Sequence, residues 1–439
     1  MKRNNPFNYL KTLLFFIFIG SQIQLIGQSK HIKKAEDLAK KIESKVIEWR
    51  HDIHQNPELS NREFKTAEKI AAHLNALGLK VQTGIAKTGV VGILETGKSG
   101  PVIGLRADID ALPVTERVAI PFASKVKGEY NGLETGVMHA CGHDTHTAIL
   151  MGVAEVLTSM KDELKGTIKF VFQPAEEGAP NGEEGGAKLM VKEGVLKNPD
   201  VEVMFGLHIE SRTTVGHINY RSGGILAAAD QFYINVKGVQ SHGSRPWEGV
   251  DPIVASAQII NSLQTIISRQ TDLTNAAAVI SVGMIQGGIR NNIIPEEVKM
   301  IGTIRTLDKD MQDIIHAKMK KMVPLVAESY RATAEIEIIR GVPVTYNDPD
   351  LTKWASTIVK RVAGDDKSHE IKAVTWGEDF AFYSNEIPSF FFFIGGCPID
   401  KNPKEAFSHH TPDFNVDDSG MITGLNAMLN LTLDYMDKK

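Results

Sequence analysis

The sequence predicts an α/β fold in which a mixed, largely parallel sheet is flanked by helices and interrupted by an inserted domain. Three observations predict this fold. Short apolar runs alternate with helical stretches up to Gly216, which is typical of strands joined by crossover helices. The element order then changes to β-α-β-β-α-β between Gln231 and Ile339. Strand and helix alternate again afterwards, so residues 217–341 are predicted to be inserted into one domain formed by 29–216 and 342–439.

The elements before the insertion follow from apolar periodicity and turn residues. Apolar residues recur at spacings of three and four from Ile32 to Val46, which predicts a helix that ends before Pro57. A second helix is predicted over Glu63–Leu77, and a third over Thr145–Met160 with Asp144 as its N-cap. Continuous apolar runs predict buried strands over Val90–Leu94, Val102–Leu105, Thr167–Phe172 and Val201–Leu207.

The insertion and the end of the chain are predicted in the same way. Alternating or apolar runs predict strands over Gln231–Lys237, Ala277–Ile285, Val298–Arg305 and Ala332–Ile339. Helices are predicted over Asp251–Arg269 and Asp308–Tyr330, with Pro324 expected to kink or split the second one. The last predicted elements are a helix over Thr352–Val362, a strand over Phe390–Ile394 and a helix from Met421.

Composition and the N-terminus limit the possible functions. Lys plus Arg (49) and Asp plus Glu (53) nearly balance, which argues against a nucleic-acid-binding protein. Two cysteines exclude a disulfide-stapled scaffold. Lys2, Arg3 and Lys11 precede a short apolar run and a polar exit, so residues 1–28 are predicted to be a signal peptide. We therefore expect a periplasmic or secreted protein without a membrane span in its mature form, the alternative being an uncleaved anchor.

Side chains that can hold metal ions follow the predicted strands. Asp108 and Asp110 follow one strand, Glu176 and Glu177 another, and His208 a third. The carboxyl ends of parallel strands meet at one sheet edge, where ligands bind. The segment 139–144 supplies Cys and His just before a helix, and Cys, His and Glu are the ligands of zinc and similar ions. One of two adjacent glutamates can bind metal while its neighbour acts as general base.

Ordered motifs extend over nearly the whole mature chain. They are WRHDIHQNPEL (49–59), GLRADIDALP (104–113), MHACGHD (138–144), FQPAEEG (172–178), GLH (206–208), SHG (241–243), NIIPE (292–296), GTIR (302–305), GEDF (377–380) and HTPDF (410–414). With these motifs the chain resembles the aminoacylase/carboxypeptidase family of two-metal peptidases, and specifically its amidohydrolase branch. The resemblance implies a zinc-exopeptidase-like catalytic domain and a ferredoxin-like insertion that serves as lid and dimerisation domain.

The resemblance also implies roles for individual residues. Two divalent ions (Zn, Mn, Co or Ni) would be held by five ligands, with Glu176 as general base and His242 as an oxyanion donor. Asn292 and Arg305 would grip the substrate carboxylate, although a surface ion pair is an equal alternative for the arginine. Asp108 and Asp144 would orient ligands, with capping or turn formation equally open. The five ligands implied are Cys141, His143, Glu177, His208 and His410.

Two positions need a choice or depart from the pattern. Of His409 and His410, the second is chosen because the family pattern places proline two residues after the ligand, as Pro412 does. A Pro-His pair common in the branch is Pro246-Trp247 here, so an apolar or aromatic substrate contact replaces any role of that histidine.

These observations predict an exported metal-dependent amidohydrolase. It would cleave the amide of an N-acyl or aminoacyl amino acid, or of a short peptide, and resemblance implies a homodimer. One alternative is a hydrolase with Cys141 as nucleophile and His143 or His139 as base. The other is a catalytically silent metal- or ligand-binding protein on the same fold.

Overall fold

The computed structural model describes the backbone of residues 7–438 and the side chains of residues 31–438. The predicted signal peptide over 1–28 lies outside the residues whose side chains are described. Among the described residues, no helix combines the length and apolar character that crossing a membrane requires. The chain forms two compact units: the first comprises the described residues up to Tyr220, Lys353–His369 and the chain from Phe392, and the second comprises Arg221–Thr352 and Glu370–Phe391.

The helices agree with the predicted ones to within a few residues, except that α1 begins at Phe7, well before the predicted start at Ile32. In the described part of the chain they are α1 (Phe7–Gln55), α2 (Phe64–Ala76), α3 (His143–Ser159), α4 (Gly186–Lys192), α5 (Pro252–Gln270), α6 (Lys309–Ser329), α7 (Pro349–Ala363), α8 (Ala381–Ser384) and α9 (Met421–Lys438). The short helices α4 and α8 were not predicted, because each is too brief to show a helical period.

The strands include every predicted one and several short additional ones. They are β1 (Lys80–Ile85), β2 (Gly89–Glu95), β3 (Val102–Asp108), β4 (Lys127–Tyr130), β5 (Leu133–Gly136), β6 (Thr167–Gln173), β7 (Val203–Thr214), β8 (Ile218–Tyr220), β9 (Gly223–Leu226), β10 (Ala228–Lys237), β11 (Ser241–His242), β12 (Ala278–Gly287), β13 (Ile293–Ile294), β14 (Glu297–Thr306), β15 (Thr333–Val342), β16 (Thr345–Asn347), β17 (Ser368–Glu370) and β18 (Ser389–Cys397).

An eight-stranded mixed sheet organises the first unit. Its order is β1-β2-β6-β3-β7-β18-β8-β17, with β3 parallel to both β6 and β7 and with β1, β2 and β6 antiparallel. The central strands are almost entirely buried, and Leu105, Phe170 and Phe205 have no exposed surface. Strands buried on both faces read as continuous apolar runs, which is why the sequence predicts them well. The parallel strands bring their carboxyl ends to one edge.

The second unit contains a four-stranded antiparallel sheet with order β12-β14-β10-β15. Two helices, α5 and α6, cover one face and bury Phe232, Ile259 and Ile315. Asp251 and Asp308 cap the two helices by accepting backbone N–H bonds. The expectation that Pro324 splits α6 is wrong, because the helix runs through it without a break. The proline and the residue four positions before it are exposed, so water can hydrate the unpaired carbonyl.

Three expectations near the sheet edge are wrong. Asp108 does not follow a strand but is the last residue of β3, because this strand continues past Leu105. His208 does not follow a strand but lies within β7, because this strand continues to Thr214. Asp144 is not the N-cap of α3, since the helix begins at His143 and Gly142 occupies the cap position.

Candidate metal centre

The loop that carries Cys141 and His143 is shaped by the glycine between them. Gly142 has a φ of 94°, a backbone conformation that residues with a Cβ seldom adopt. A Cβ at this position would lie 2.4 Å from Cγ2 of Ile209. The glycine therefore lets the loop turn tightly against β7, and the ligand atoms of Cys141 and His143 lie within 4.8 Å of each other.

Two groups of potential ligands share Cys141. The ligand atoms of Cys141, His143 and Glu177 lie within 4.8 Å of one another, and so do those of Cys141, His208 and His409. Sγ of Cys141 is 3.4 Å from Nε2 of His208. Because one thiol belongs to both groups, the arrangement can hold two ions side by side.

An orphaned polar atom in the first group shows that its residues fit a cation. Nε2 of His143 is buried and has no hydrogen-bond partner in the described part of the chain. Nδ1 of the same imidazole donates to the backbone oxygen of Asp110 at 2.8 Å, which directs the other nitrogen into the site. Buried polar groups without partners are rare in native proteins, and an ion would satisfy this nitrogen.

The electrostatics of the site also fit cations. Burial by itself lowers the pKa of His143, but Asp108, Asp110 and Glu177 raise it to about 10. Burial, together with Glu177 and Glu176, raises the pKa of the Cys141 thiol well above its ordinary value. Both shifts report an excess of negative charge around the buried ligands. A divalent cation would offset this charge and favour the thiolate and the neutral imidazole.

His146 and His208 differ in what their second ring nitrogen contacts. Nδ1 of His146 lies 2.6 Å from Oδ1 of Asp108, and its Nε2 accepts the N–H of Ile209 at 2.7 Å. Both nitrogens are thus used by the protein, so His146 is a structural residue although it lies near two ligands. Nδ1 of His208 contacts the carbonyl of Ile209 at 2.6 Å, which leaves its Nε2 facing Cys141.

The two glutamates occupy a short turn after β6. Oε2 of Glu176 is 3.8 Å and Oε1 of Glu177 is 4.0 Å from Nε2 of His143. Both side chains are mostly buried but retain a little exposed surface. A general base needs this combination of a fixed position close to the reacting water and access for substrate.

The two aspartates predicted to orient ligands contact other residues. Asp108 accepts from Arg106 at 2.6 Å and pairs with His146, while its Oδ1 is 3.9 Å from Nδ1 of His143. Asp144 accepts from Nε of Arg50 at 2.8 Å and pairs with Nδ1 of His54 at 2.9 Å. Against burial, these two cations lower the pKa of Asp144. Asp144 therefore anchors the ligand loop to α1.

His409 and His410 both lie at the candidate metal centre, but they are close to different ligands. His410 has a φ of 63°, its N–H donates to the carbonyl of Ala140, and its Nε2 is 3.0 Å from Oε1 of Glu177. His409 joins the group with Cys141 and His208, and its Nε2 accepts the N–H of Ser211 at 3.2 Å. The sequence-based choice of His410 stays a prediction, with His409 as a second candidate.

The remaining predicted residues belong to the second unit. His242 in β11 and Asn292 are brought together, because β11 pairs with β13 and the N–H of Gly243 donates to the carbonyl of Asn292. Nδ1 of His242 accepts the N–H of Ser244 at 3.1 Å, so the proton of the neutral ring lies on Nε2. Arg305 lies on β14 and donates to the carbonyl of Ile304.

Two buried carboxyl groups have no specific role in the sequence-based prediction, which names Asp110 only among the side chains that can hold metal ions and does not name Glu63. Asp110 accepts the backbone N–H groups of Glu176 and Glu177, and Glu63 accepts that of Ala175. For Asp110, the feature of the sequence that could have indicated a role was the Asp-x-Asp spacing of Asp108 and Asp110 at the end of β3. Nothing in the local pattern marks Glu63, which lies more than a hundred positions from its partner.

Comparisons with known proteins agree with this geometry. The model of peptidase family M20/M25/M40 matches residues 104–434. The chain is 38% identical to thermostable carboxypeptidase 2 of Saccharolobus solfataricus, covering 93% of this chain and 99% of that protein. It is 37% identical to N-acetylcysteine deacetylase of Bacillus subtilis, covering 91% and 98%. A solved Bacillus subtilis structure, described as a dinuclear metal-binding peptidase of the M20 family, matches with a TM-score of 0.77 and 33% identity, covering 91% and 99%.

Proposed function

The chain belongs to peptidase family M20/M25/M40 and is a metal-dependent hydrolase of amide bonds; from this premise we propose that it cleaves N-acyl or aminoacyl amino acids. The observation that carries the proposal is the cluster of Cys141, His143 and Glu177, with Nε2 of His143 buried and unpaired among the described residues, next to Glu176. Similar proteins are named carboxypeptidase, deacetylase and IAA-amino acid hydrolase, and each name describes an amide beside an amino acid.

The roles of the residues follow from their positions. Divalent ions held at the centre would supply Lewis acidity, which polarises the scissile carbonyl and acidifies water. Glu176 would accept a proton from the attacking water and deliver it to the leaving nitrogen. His242, with its proton on Nε2, would donate to the developing oxyanion. Asn292 and Arg305 would bind the substrate carboxylate, for which a guanidinium fork is suited.

The electrostatics favour this mechanism over a cysteine nucleophile. A nucleophilic thiol needs a lowered pKa, and catalytic cysteines lie in electropositive surroundings. Here burial and two glutamates raise the pKa of Cys141. The thiol is thus suited to cation binding and poorly suited to direct attack.

The test combines metal analysis with kinetics on the purified protein. Hydrolysis of hippurate and N-acetyl-amino acids is measured before and after chelation, and metal is then added back. We expect about two ions per chain, with activity lost on chelation and restored by zinc, manganese, cobalt or nickel. Activity that survives complete metal removal would contradict the proposal and favour Cys141 as nucleophile. Metal and substrate binding without turnover would favour the silent binding protein.

Three variants test the assigned roles. Glu176→Gln should abolish turnover and retain metal, whereas Cys141→Ala should lose metal. Glu184→Gln is a matched control, because Glu184 lies in the exposed segment after the same turn and pairs only with Lys192 among the side chains of the described residues. Loss of metal in the Glu176 variant, with activity retained, would refute the assignment of Glu176 as general base rather than metal ligand. Comparing metal content in His410→Ala and His409→Ala identifies the fifth ligand.

Export and dimer formation are further parts of the proposal. The basic start and short apolar run of residues 1–28 support export to the periplasm or medium. Mass spectrometry of the mature protein would locate the cleavage site, and an intact N-terminus in the membrane fraction would favour the anchored alternative. Resemblance supports a homodimer formed through residues 217–341, which light scattering on the purified protein would test.

A further inference from the structure

The turn that carries Glu176 and Glu177 has a backbone conformation that its own sequence does not favour. Ala175, directly before the pair, has a φ of 51°, in the left-handed region that residues with a Cβ seldom adopt. Gly178, directly after it, has a φ of 105°. Such conformations persist where the surrounding structure fixes them, and they concentrate at functional sites.

Two buried carboxylates fix this turn through three consecutive backbone amides. The N–H of Glu176 donates to Oδ1 of Asp110 at 3.0 Å, and the N–H of Glu177 donates to Oδ2 of the same residue at 3.1 Å. The N–H of Ala175 donates to Oε1 of Glu63 at 2.9 Å. Hydrogen bonds to the ionised carboxylate of Asp110 in this buried site are stronger than those between neutral groups, and the carboxyl group of Glu63 accepts from Ala175 in either protonation state.

Asp110 is itself held in place and also positions a metal ligand. The hydroxyl of Ser60 donates to its Oδ2 at 2.7 Å, and its backbone oxygen accepts from Nδ1 of His143 at 2.8 Å. The carboxylate has no exposed surface. One residue thus links the turn of the glutamates to the imidazole that faces them.

The distances from His143 show why the two glutamates need another residue to fix their positions. Their nearest carboxylate oxygens lie at 3.8 and 4.0 Å from the same atom, Nε2 of His143. Side-chain chemistry is identical and the distances to His143 are nearly equal, yet only Glu177 groups with both Cys141 and His143 within 4.8 Å. The two side chains leave the backbone at successive peptide planes, and Asp110 accepts the N–H group of each plane.

We propose that Asp110 is a positioning residue that assigns Glu177 to metal binding and Glu176 to proton transfer, an inference that rests on the proposed function. An amide in its place offers one acceptor oxygen and one donor group, so one of the two backbone N–H groups loses its acceptor and the carboxylates compete for the same place. A purely structural role for Asp110 would affect stability but neither metal affinity nor the rate of the chemical step. Outer residues that orient ligands typically affect metal affinity or activity about 10- to 100-fold.

The test is Asp110→Asn in the full chain, with metal affinity measured by chelator competition and with kcat and KM measured on hippurate. We expect kcat and metal affinity each to fall about 10- to 100-fold while KM changes less than about threefold. Asp230→Asn is the matched control, because Asp230 is a buried carboxylate of the second unit that accepts a backbone N–H and two side-chain bonds. The control should lower thermal stability and leave kcat and metal affinity unchanged.

The outcomes separate this inference from the proposed function. If Asp110→Asn loses only thermal stability, as the control does, the positioning role is wrong even when Glu176→Gln abolishes turnover. If Glu176→Gln retains turnover, the general base is misassigned and this inference falls with it. Should Asp110→Asn fail to fold, Ser60→Ala removes one hydrogen bond to Oδ2. A fall in kcat of about threefold or more with unchanged stability then supports the inference, and an unchanged kcat overturns it.

Discussion

Glu63 gives the metal-free protein an unusual dependence of stability on pH. The side chain is fully buried, and burial followed by the negative charge of Asp110 raises its pKa from 4.5 to about 7. Hydrogen bonds from Thr88 and from the N–H of Ala175 act in the opposite direction but do not offset the increase. The folded protein therefore keeps this carboxyl group protonated over a pH range in which the unfolded chain has already ionised it.

The sign and size of the effect follow from proton linkage. Between pH 4.5 and about 7 the folded state binds more protons at Glu63 than the unfolded state, so the free energy of unfolding falls as pH rises. A pKa raised from 4.5 to about 7 corresponds to about 3 kcal/mol, and the loss is complete above the folded pKa. Glu63→Gln resembles the protonated form, because an amide can accept from Ala175 and donate to Thr88. Relative to the unmodified protein, this variant should gain about 3 kcal/mol between acidic and mildly alkaline pH.

The assay is urea unfolding of the metal-free protein across this pH range. Trp49 and Trp354 report on the first unit if Trp247→Phe and Trp376→Phe are present in every protein compared. Thr88→Val is the companion variant: it removes a hydrogen bond that lowers the pKa of Glu63, so the loss of stability should extend to higher pH. A stability difference between Glu63→Gln and the unmodified protein that stays constant with pH would refute the reasoning.

Three further predictions concern the ligand loop and its ions. Asp144→Asn breaks a buried ion pair with Arg50 and should lower the free energy of unfolding by about 3–5 kcal/mol, as measured in urea; a loss below about 1 kcal/mol would contradict this. Gly142→Ala should lower both thermal stability and metal affinity, because a Cβ would clash with Ile209 and the φ of 94° is strained; Ile209→Ala in addition should restore only part of the loss. Divalent metal at about 100 times its Kd should stabilise the protein by about 3 kcal/mol in calorimetry, whereas Cys141→Ala should show little of this gain.

The fold could largely be predicted because its central strands are apolar on both faces. The run Val90–Leu94 predicts β2 to within one residue at each end. The position of His208 could not be predicted, because the end of β7 carries polar residues and is held by pairing with a distant segment. The N–H of Val215, just after this strand, donates to the carbonyl of Cys397, about 180 positions away. The local periodicity of the sequence gives no information about a partner so far away in the chain.

The residues of the site also fall into two groups: those that short sequence motifs reveal, and those whose role depends on contacts between residues far apart in sequence. Ligand types and the adjacent glutamates stand in short motifs that the sequence shows directly, and their assignment as metal ligands and general base stays a prediction. The carboxylates that hold the glutamate turn come from residues 63 and 110, far from it in sequence. Their role depends on which backbone amides they accept, and the acidic character of the residues does not reveal that.

The three histidines of the segment 139–146 show what decides the use of a buried imidazole. All three are almost fully buried, so neither residue type nor burial separates them. His146 has both ring nitrogens occupied by Asp108 and Ile209, and His143 has one occupied and one facing the candidate ions. Neither nitrogen of His139 has a hydrogen-bond partner among the described residues, and burial lowers its pKa to about 3, so its ring is neutral and no hydrogen bond fixes its orientation as one does for His143. Whether a histidine can serve as a metal ligand is therefore set by the partner of its other nitrogen, which long-range folding supplies.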